Sequence, residues 1–173
     1  MARRLGTTEH LSPLLHKVRR LGLGSPADLC QLAVQRGCRY YADPDRPRVT
    51  DPGLALLGND ELAVALLHGG QPWSPQATRL GAAMLGAPGL AALRVARLAR
   101  MERCEKVICH VAQAGQHFEP GNPFWSDLLK LLPTTSAPPE GVLPHPTRYV
   151  AMTGLTRSGR GLSATWIRPA AGN

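Results

Sequence analysis

Two short stretches hold the residue types that chemistry uses. "HFEPGNPFW", residues 117–125, brings His117 and Glu119 around a turn with Phe118, Phe124 and Trp125. A histidine and a carboxylate so placed could pass a proton. "CEKVICH", residues 104–110, holds Cys104, Cys109 and His110, all zinc-ligand types. Five positions along a helix turn the chain by about 140°, however, so the two sulfurs diverge. No C-x2-C pair occurs anywhere, and structural zinc usually shows one. His68, His110, His117 and His145 are scattered. No phosphate-cradling glycine loop, nucleophile elbow or H-E-x-x-H motif is present. The residues therefore predict no catalytic centre, no cofactor and no metal. The three aromatics are expected to pin a loop, and the thiols to be buried.

The charge pattern is more informative. The 173 residues carry a net charge of +8, and seventeen of the twenty basic residues are arginine. Residues 1–50 hold nine basic residues against four acids, residues 51–140 seven against eight, and residues 141–173 four against none. Two basic ends thus flank a neutral middle. Arginine's fork donates two parallel hydrogen bonds to phosphate or carboxylate, so a polyanionic partner is the natural inference. GC-rich coding would enrich Arg, Ala, Gly and Pro together, but it does not explain the asymmetry between segments.

No run reaches the ~18 apolar residues of a membrane span. "MARRL" starts as an export signal does, but Thr7, Thr8, Glu9 and His10 interrupt what would be its apolar core. A cytoplasmic protein is expected, with Cys30, Cys38, Cys104 and Cys109 as reduced thiols.

The elements that must position these residues are mostly helices. Ser12-Pro13, Ser25-Pro26, Ser74-Pro75 and Asn122-Pro123 each pair a capping side chain with a proline at the first helical position. Another helix starts at Asn59, with Asp60 and Glu61 at the positive end of its dipole. The longest helical pattern ends at Gly115. In it Leu90, Leu93, Met101, Cys104, Val107, Ile108 and Val111 fall within an arc of about 120°. Glu102, Glu105, Lys106 and Gln113 fall opposite, with Glu102 and Lys106 at a favourable i, i+4 spacing. Arg97 and Arg100 land inside the apolar arc, so either they pair with acids, or the helix breaks near residues 96–101, or they face a partner. After Pro133 the proline-rich "TTSAPPEGVLPHP" reads as a linker. Two β-rich runs, 147–153 and 162–168, flank "TRSGRG" and predict a hairpin. Its Tyr149 and Trp166 are expected to cover the core. Arg157 and Arg160 lie in its loop, where they could meet a nucleic-acid groove or stay in water.

The stretch "RYYADPDRPRVTDPGLALL", residues 39–57, reads as two short extended pieces around a turn, then a turn into a helix. Two short helices, 12–21 and 26–36, precede it, joined by "LGLG". With Gly37, then Asp43, Asp45, Arg46 and Arg48, then Val49-Thr50-Asp51-Pro52-Gly53, residues 12–57 resemble the end of a MarR-type winged-helix regulator. Pro47 stands where that family usually has arginine, and Pro52 where it has a small residue. The resemblance implies that helix 26–36 enters the major groove, with Gln31, Gln35 and Arg36 as polar contacts. It places Arg46 and Arg48 on phosphate or in the minor groove, and Lys17, Arg19 and Arg20 on the backbone.

The expectation is a mainly α fold. It has a basic winged-helix-like region over 1–57, a helical bundle over 58–132, a linker over 133–146 and a basic β-hairpin and tail over 147–173. The function expected is non-enzymatic nucleic-acid binding, DNA before RNA, in a transcription regulator or an accessory subunit of a nucleoprotein complex. A homo-oligomer or a protein partner is expected to use the central helices. The alternatives are an assembly subunit docking an acidic protein and, third, a small enzyme.

Overall fold

The computed structural model describes residues 12–41, 45, 48–49, 55–70, 74–153 and 163–170. The chain is mainly helical, with one small two-stranded antiparallel sheet near its C-terminus. The helices are α1 (Pro13–Arg20), α2 (Pro26–Gln35), α3 (Asn59–Leu67), α4 (Pro75–Leu85), α5 (Ala92–Met101), α6 (Glu105–Phe118) and α7 (Pro123–Leu131). The strands are β1 (Val150–Thr153) and β2 (Ser163–Trp166).

Four helices start where a Ser-Pro or Asn-Pro pair puts them. The side chains of Ser12, Ser25, Ser74 and Asn122 accept from the amides of Leu15, Asp28, Ala77 and Phe124 respectively. Each cap satisfies an amide that the helix leaves without a partner. Asp28 answers Ser25 in a reciprocal box, bonding the Ser25 amide at 2.9 Å. Helix α3 starts at Asn59, as expected; its cap is Gly58, and Glu61 accepts the Gly58 amide at 2.9 Å.

Helix α3 is the centre of the bundle. Asp60 and every residue from Leu62 to Leu67 are buried. It packs against α1, α2, α4, α5 and α6. This all-round apolar pattern is what an enclosed helix requires. The buried apolar side chains form one continuous cluster from Leu14 of α1 to Ile167 beyond β2, crossing the boundary expected near residue 57.

The helical stretch expected up to Gly115 is two helices, which is the alternative of a break, placed just beyond the expected residues 96–101. Arg103 takes a left-handed conformation, φ 52°. The Cys104 amide bonds back to Ala99 at 3.0 Å and the Arg103 amide to Arg100 at 3.2 Å, the pair of closing bonds of a Schellman motif. The break changes the phase of the apolar face. Val95, Ala96 and Ala99 are buried in α5, whereas Leu93 and Met101 are exposed. A single 3.6-residue period projected across the break mixes the two faces, which is why Arg97 and Arg100 fell among core positions.

Residues 133–139 have no regular structure, and Leu143 anchors the end of this stretch in the core. A 3-10 turn at Pro146–Tyr149 leads into β1, which pairs with β2 from Val150–Trp166 to Thr153–Ser163. Tyr149 and Trp166 are fully buried, as the hairpin reading expected. The Trp166 indole donates to the Ala82 carbonyl at 3.0 Å and lies 4.8 Å from the Trp125 ring centroid. Beyond β2 the Ala170 amide bonds to Gly37 at 3.0 Å. Gly37 has φ +109°, and a Cβ there would sit 2.6 Å from the Ala170 carbonyl. Only glycine meets both demands.

The first extended piece expected in the wing is instead a 3-10 turn, Arg39–Tyr41. Buried Cys38, its sulfur 3.5 Å from that of Met84, draws the chain inward just before it. Among the described residues, strands occur only in the C-terminal hairpin.

Candidate nucleic-acid interface

The N-terminal basic residues divide into two kinds. Some are bound into the fold around the start of α3. Lys17 donates to Glu61 at 2.7 and 2.8 Å and to the Leu56 carbonyl at 2.9 Å. Arg36 donates to Asn59 at 2.9 Å and to the Leu57 carbonyl at 2.6 Å. Arg94 pairs with Asp60. Burial lowers the Arg36 pKa, and the nearby Glu61 charge opposes that. Burial pushes the Glu61 carboxyl up. The hydrogen bonds from Lys17 and the Gly58 amide, with the charges of Lys17 and Arg94, outweigh it and hold the carboxyl below the usual range. These contacts join the ends of α1 and α2 to the start of α3.

Arg19 and Arg20 are of the other kind. With His16 they occupy the exposed arc of α1, opposite buried Leu14, Leu15 and Val18. Arg48 is exposed as well. Arg46, Arg157 and Arg160 lie outside the described residues.

The two glutamines expected on bases have other surroundings. Gln31 is 8% exposed, within an unbroken buried run over residues 29–33. Gln35 is exposed, and with its amide oriented to match, it donates to the Val49 carbonyl at 3.3 Å and accepts the Val49 amide at 2.8 Å. It clips the segment after the expected turn onto the end of α2.

A buried polar cluster went unseen in the sequence. Glu102, 2% exposed, caps α5 and points inward. One carboxylate oxygen accepts the Leu14 amide at 3.0 Å, and the other accepts the Ser12 hydroxyl. His68 Nε2 lies 3.4 Å from that second oxygen, and its Nδ1 accepts the Gly70 amide at 2.8 Å. The residue types are those of a hydrolase triad, but the order is not. A triad needs histidine between the nucleophile and the acid. Here serine and histidine both address the carboxylate, and all three are buried. The cluster caps α1 and ties it to α3 and α5. The i, i+4 pattern placed Glu102 on an outer face; the break at Arg103 turns it inside.

The loop at 117–125 is also structural. Glu119 accepts the Trp125 indole at 2.9 Å, the Asn122 side-chain Nδ2 at 3.2 Å and Arg168 at 2.6 Å. Burial raises its pKa, but the hydrogen bonds from Trp125, Arg168 and Asn122 bring it below the usual carboxylate range. His117 stacks edge-on with Phe118 rather than facing Glu119. An open cleft of about 550 Å³ is lined by Pro88, Leu90, Asn122, Phe124 and Arg168, and its one charged side chain is this Glu119-bound arginine.

All four cysteines are buried free thiols. Burial pushes the Cys38 thiol up to about 12, and raises Cys104 as well. Among the described residues no three His, Cys, Asp or Glu side chains gather as a metal site. No described helix is long and apolar enough to cross a membrane. Comparison with family models, curated protein sequences and solved structures finds no match to this chain.

Proposed function

We propose that this is a non-enzymatic nucleic-acid-binding protein that holds its ligand chiefly through phosphate contacts, serving as a transcription regulator or an accessory subunit of a nucleoprotein complex. The observation that carries the reading is the outer arc of α1. Arg19 and Arg20 stand exposed there, and no acid occurs in the sequence between Glu9 and Asp28. Paired arginines on one helical arc suit adjacent phosphates. Exposed Arg48, beside the segment that Gln35 holds, would offer a further cation.

The winged-helix arrangement over residues 12–57 is the finer form of this proposal. Helices α1 and α2 are joined by a turn at 21–24, and the Arg46–Arg48 segment would act as the wing. Burial over residues 29–33 keeps the middle of α2 from base edges, which favours backbone contacts over base readout. DNA is the ligand favoured.

Labelled duplex DNA, single-stranded DNA and RNA, titrated across a salt series, test the proposal. The logarithm of affinity should fall linearly with the logarithm of salt. The Arg19→Ala/Arg20→Ala variant should reduce the slope by about 2, one for each lost phosphate contact. Absence of binding at low salt overturns it.

A further inference from the structure

We infer that the cleft between the end of α4, the start of α7 and the segment after β2 is a binding site for a small uncharged ligand, an apolar ring carrying one carbonyl-type acceptor. It is built by other elements than α1, so it is a second site beside the phosphate contacts proposed above. Its volume is about 550 Å³, within the range of small-molecule sites. Pro88, Leu90, Phe124 and Pro169 supply apolar walls, and Arg168 and Asn122 supply the polar side chains. Apolar walls with a few fixed polar groups both hold a small molecule and orient it.

A close approach at Gly86 builds the cleft. Gly86 ends α4, and a Cβ there would sit 2.6 Å from Cδ1 of buried Trp166. Without that carbon the end of α4 closes on the hairpin. Arg168, two residues beyond Trp166, then lies against Gly86, and its Nε donates to the Gly86 carbonyl at 3.2 Å. Its Nη2 donates to both oxygens of Glu119 at 2.6 Å. Among the described residues its Nη1 has no hydrogen-bond partner. The guanidinium is thus fixed by three bonds and keeps one nitrogen for a ligand. A donor held in place before binding loses little freedom when it binds.

The polar groups decide the class of ligand. Arg168 is the one charged side chain lining the cleft, and Glu119 already balances it. An anion placed on Nη1 would also meet the field of the Glu119 carboxylate, and a cation would meet the guanidinium first. A neutral ligand avoids both. Asn122 spends its Oδ1 on the Phe124 amide at 3.1 Å, and its Nδ2 reaches Glu119 at 3.2 Å. The two polar side chains therefore offer N–H groups and no free oxygen, so the ligand must bring the acceptor. A carbonyl answers Nη1 of Arg168, and a flat ring covers the walls at Phe124 and Leu90.

The test uses the full-length chain and ring probes of one size and shape: acetophenone and benzamide, which are uncharged, benzoate, an anion, and benzamidine, a cation. Binding is read from the amide chemical shifts of Gly89, Leu90 and Phe124. The two uncharged probes should bind with dissociation constants on the order of 1 mM, the strength that so few heavy atoms supply. Benzoate and benzamidine should bind about tenfold more weakly. Leu90→Trp fills the cleft from a half-exposed wall and should abolish binding with the thermal midpoint unchanged. Arg168→Met should weaken acetophenone several-fold and strengthen benzamidine, because Glu119 then lacks its counter-charge. Absence of binding by both uncharged probes overturns the proposal. So does benzoate binding more tightly than acetophenone, because Arg168 then acts as an unbalanced cation. Binding that survives Leu90→Trp overturns it as well, since the probe then sits elsewhere.

Discussion

Around the start of α3, the cations have partners within the fold: Lys17 with Glu61, Arg94 with Asp60, and Arg36 with Asn59 and the Leu57 carbonyl. Along the outer side of α5, Arg97 and Arg100 are exposed and the sequence supplies no acid for forty residues before Glu102. Both regions are arginine-rich helix surfaces. They differ in whether acids are positioned to meet the cations. In the first, charge is a fastening between elements. In the second, it is a surface property. The count of basic residues alone cannot distinguish the two, and net charge is therefore a poor guide to which end of a protein meets a polyanion.

The largest effect should come from Glu102, which ties the end of α5 to the start of α1 through the core. Glu102→Ala leaves the Ser12 hydroxyl and the Leu14 amide without their acceptor and should cost about 3 kcal/mol of unfolding free energy, measured by urea denaturation. A loss below about 0.5 kcal/mol would mean that the cluster fastens nothing.

Glu61→Gln sharpens the contrast, because it removes a counter-charge from the fastened region. It should cost about 1.5 kcal/mol near neutral pH, the scale of a hydrogen bond to a charged group. Because the folded Glu61 carboxyl lies below its ordinary 4.5, its stabilisation is present above that pH and is lost as pH falls through the lowered value. Wild type and Glu61→Gln should therefore converge in stability in strong acid, as read by thermal midpoints at a series of pH values. The freed Lys17 should also raise affinity for duplex DNA. A gap that stays constant with pH would refute the charge-based account.

The smallest effect compares helix ends. Gly22→Ala, where nothing lies within 4 Å of the added carbon, should cost about 1 kcal/mol from backbone conformation alone. Arg103→Gly should gain a similar amount for the same reason. Chemical denaturation of the two variants, side by side, should show opposite signs. The same sign in both would remove the case for strain at Arg103.

Much of the helical framework was legible in the sequence. A Ser-Pro or Asn-Pro pair acts within one turn of chain, through a side-chain oxygen and the amide two or three residues on, and so needs no tertiary information. The hairpin and its buried Tyr149 and Trp166 were legible because β-branched and aromatic runs around a glycine loop are also local. The division of α5 from α6 was legible as one alternative, because Arg97 and Arg100 among apolar positions pointed to a break near residues 96–101. Its place at Arg103 was not, because it depends on arginine adopting a conformation that it disfavours. The roles of Lys17, Gln35 and Arg36 were hidden for another reason, since their partners lie 14 to 44 residues away along the chain. Residue type and order set the helix starts, the acid-free stretch and the positions where charge could accumulate, because these follow from short-range hydrogen bonding and from composition. Only the packing of α1, α2, α5 and α6 against α3 decided which arginines became fastenings and which were left facing outward. An ion pair forms where the fold brings two groups within a few ångströms, and that distance is a property of tertiary structure.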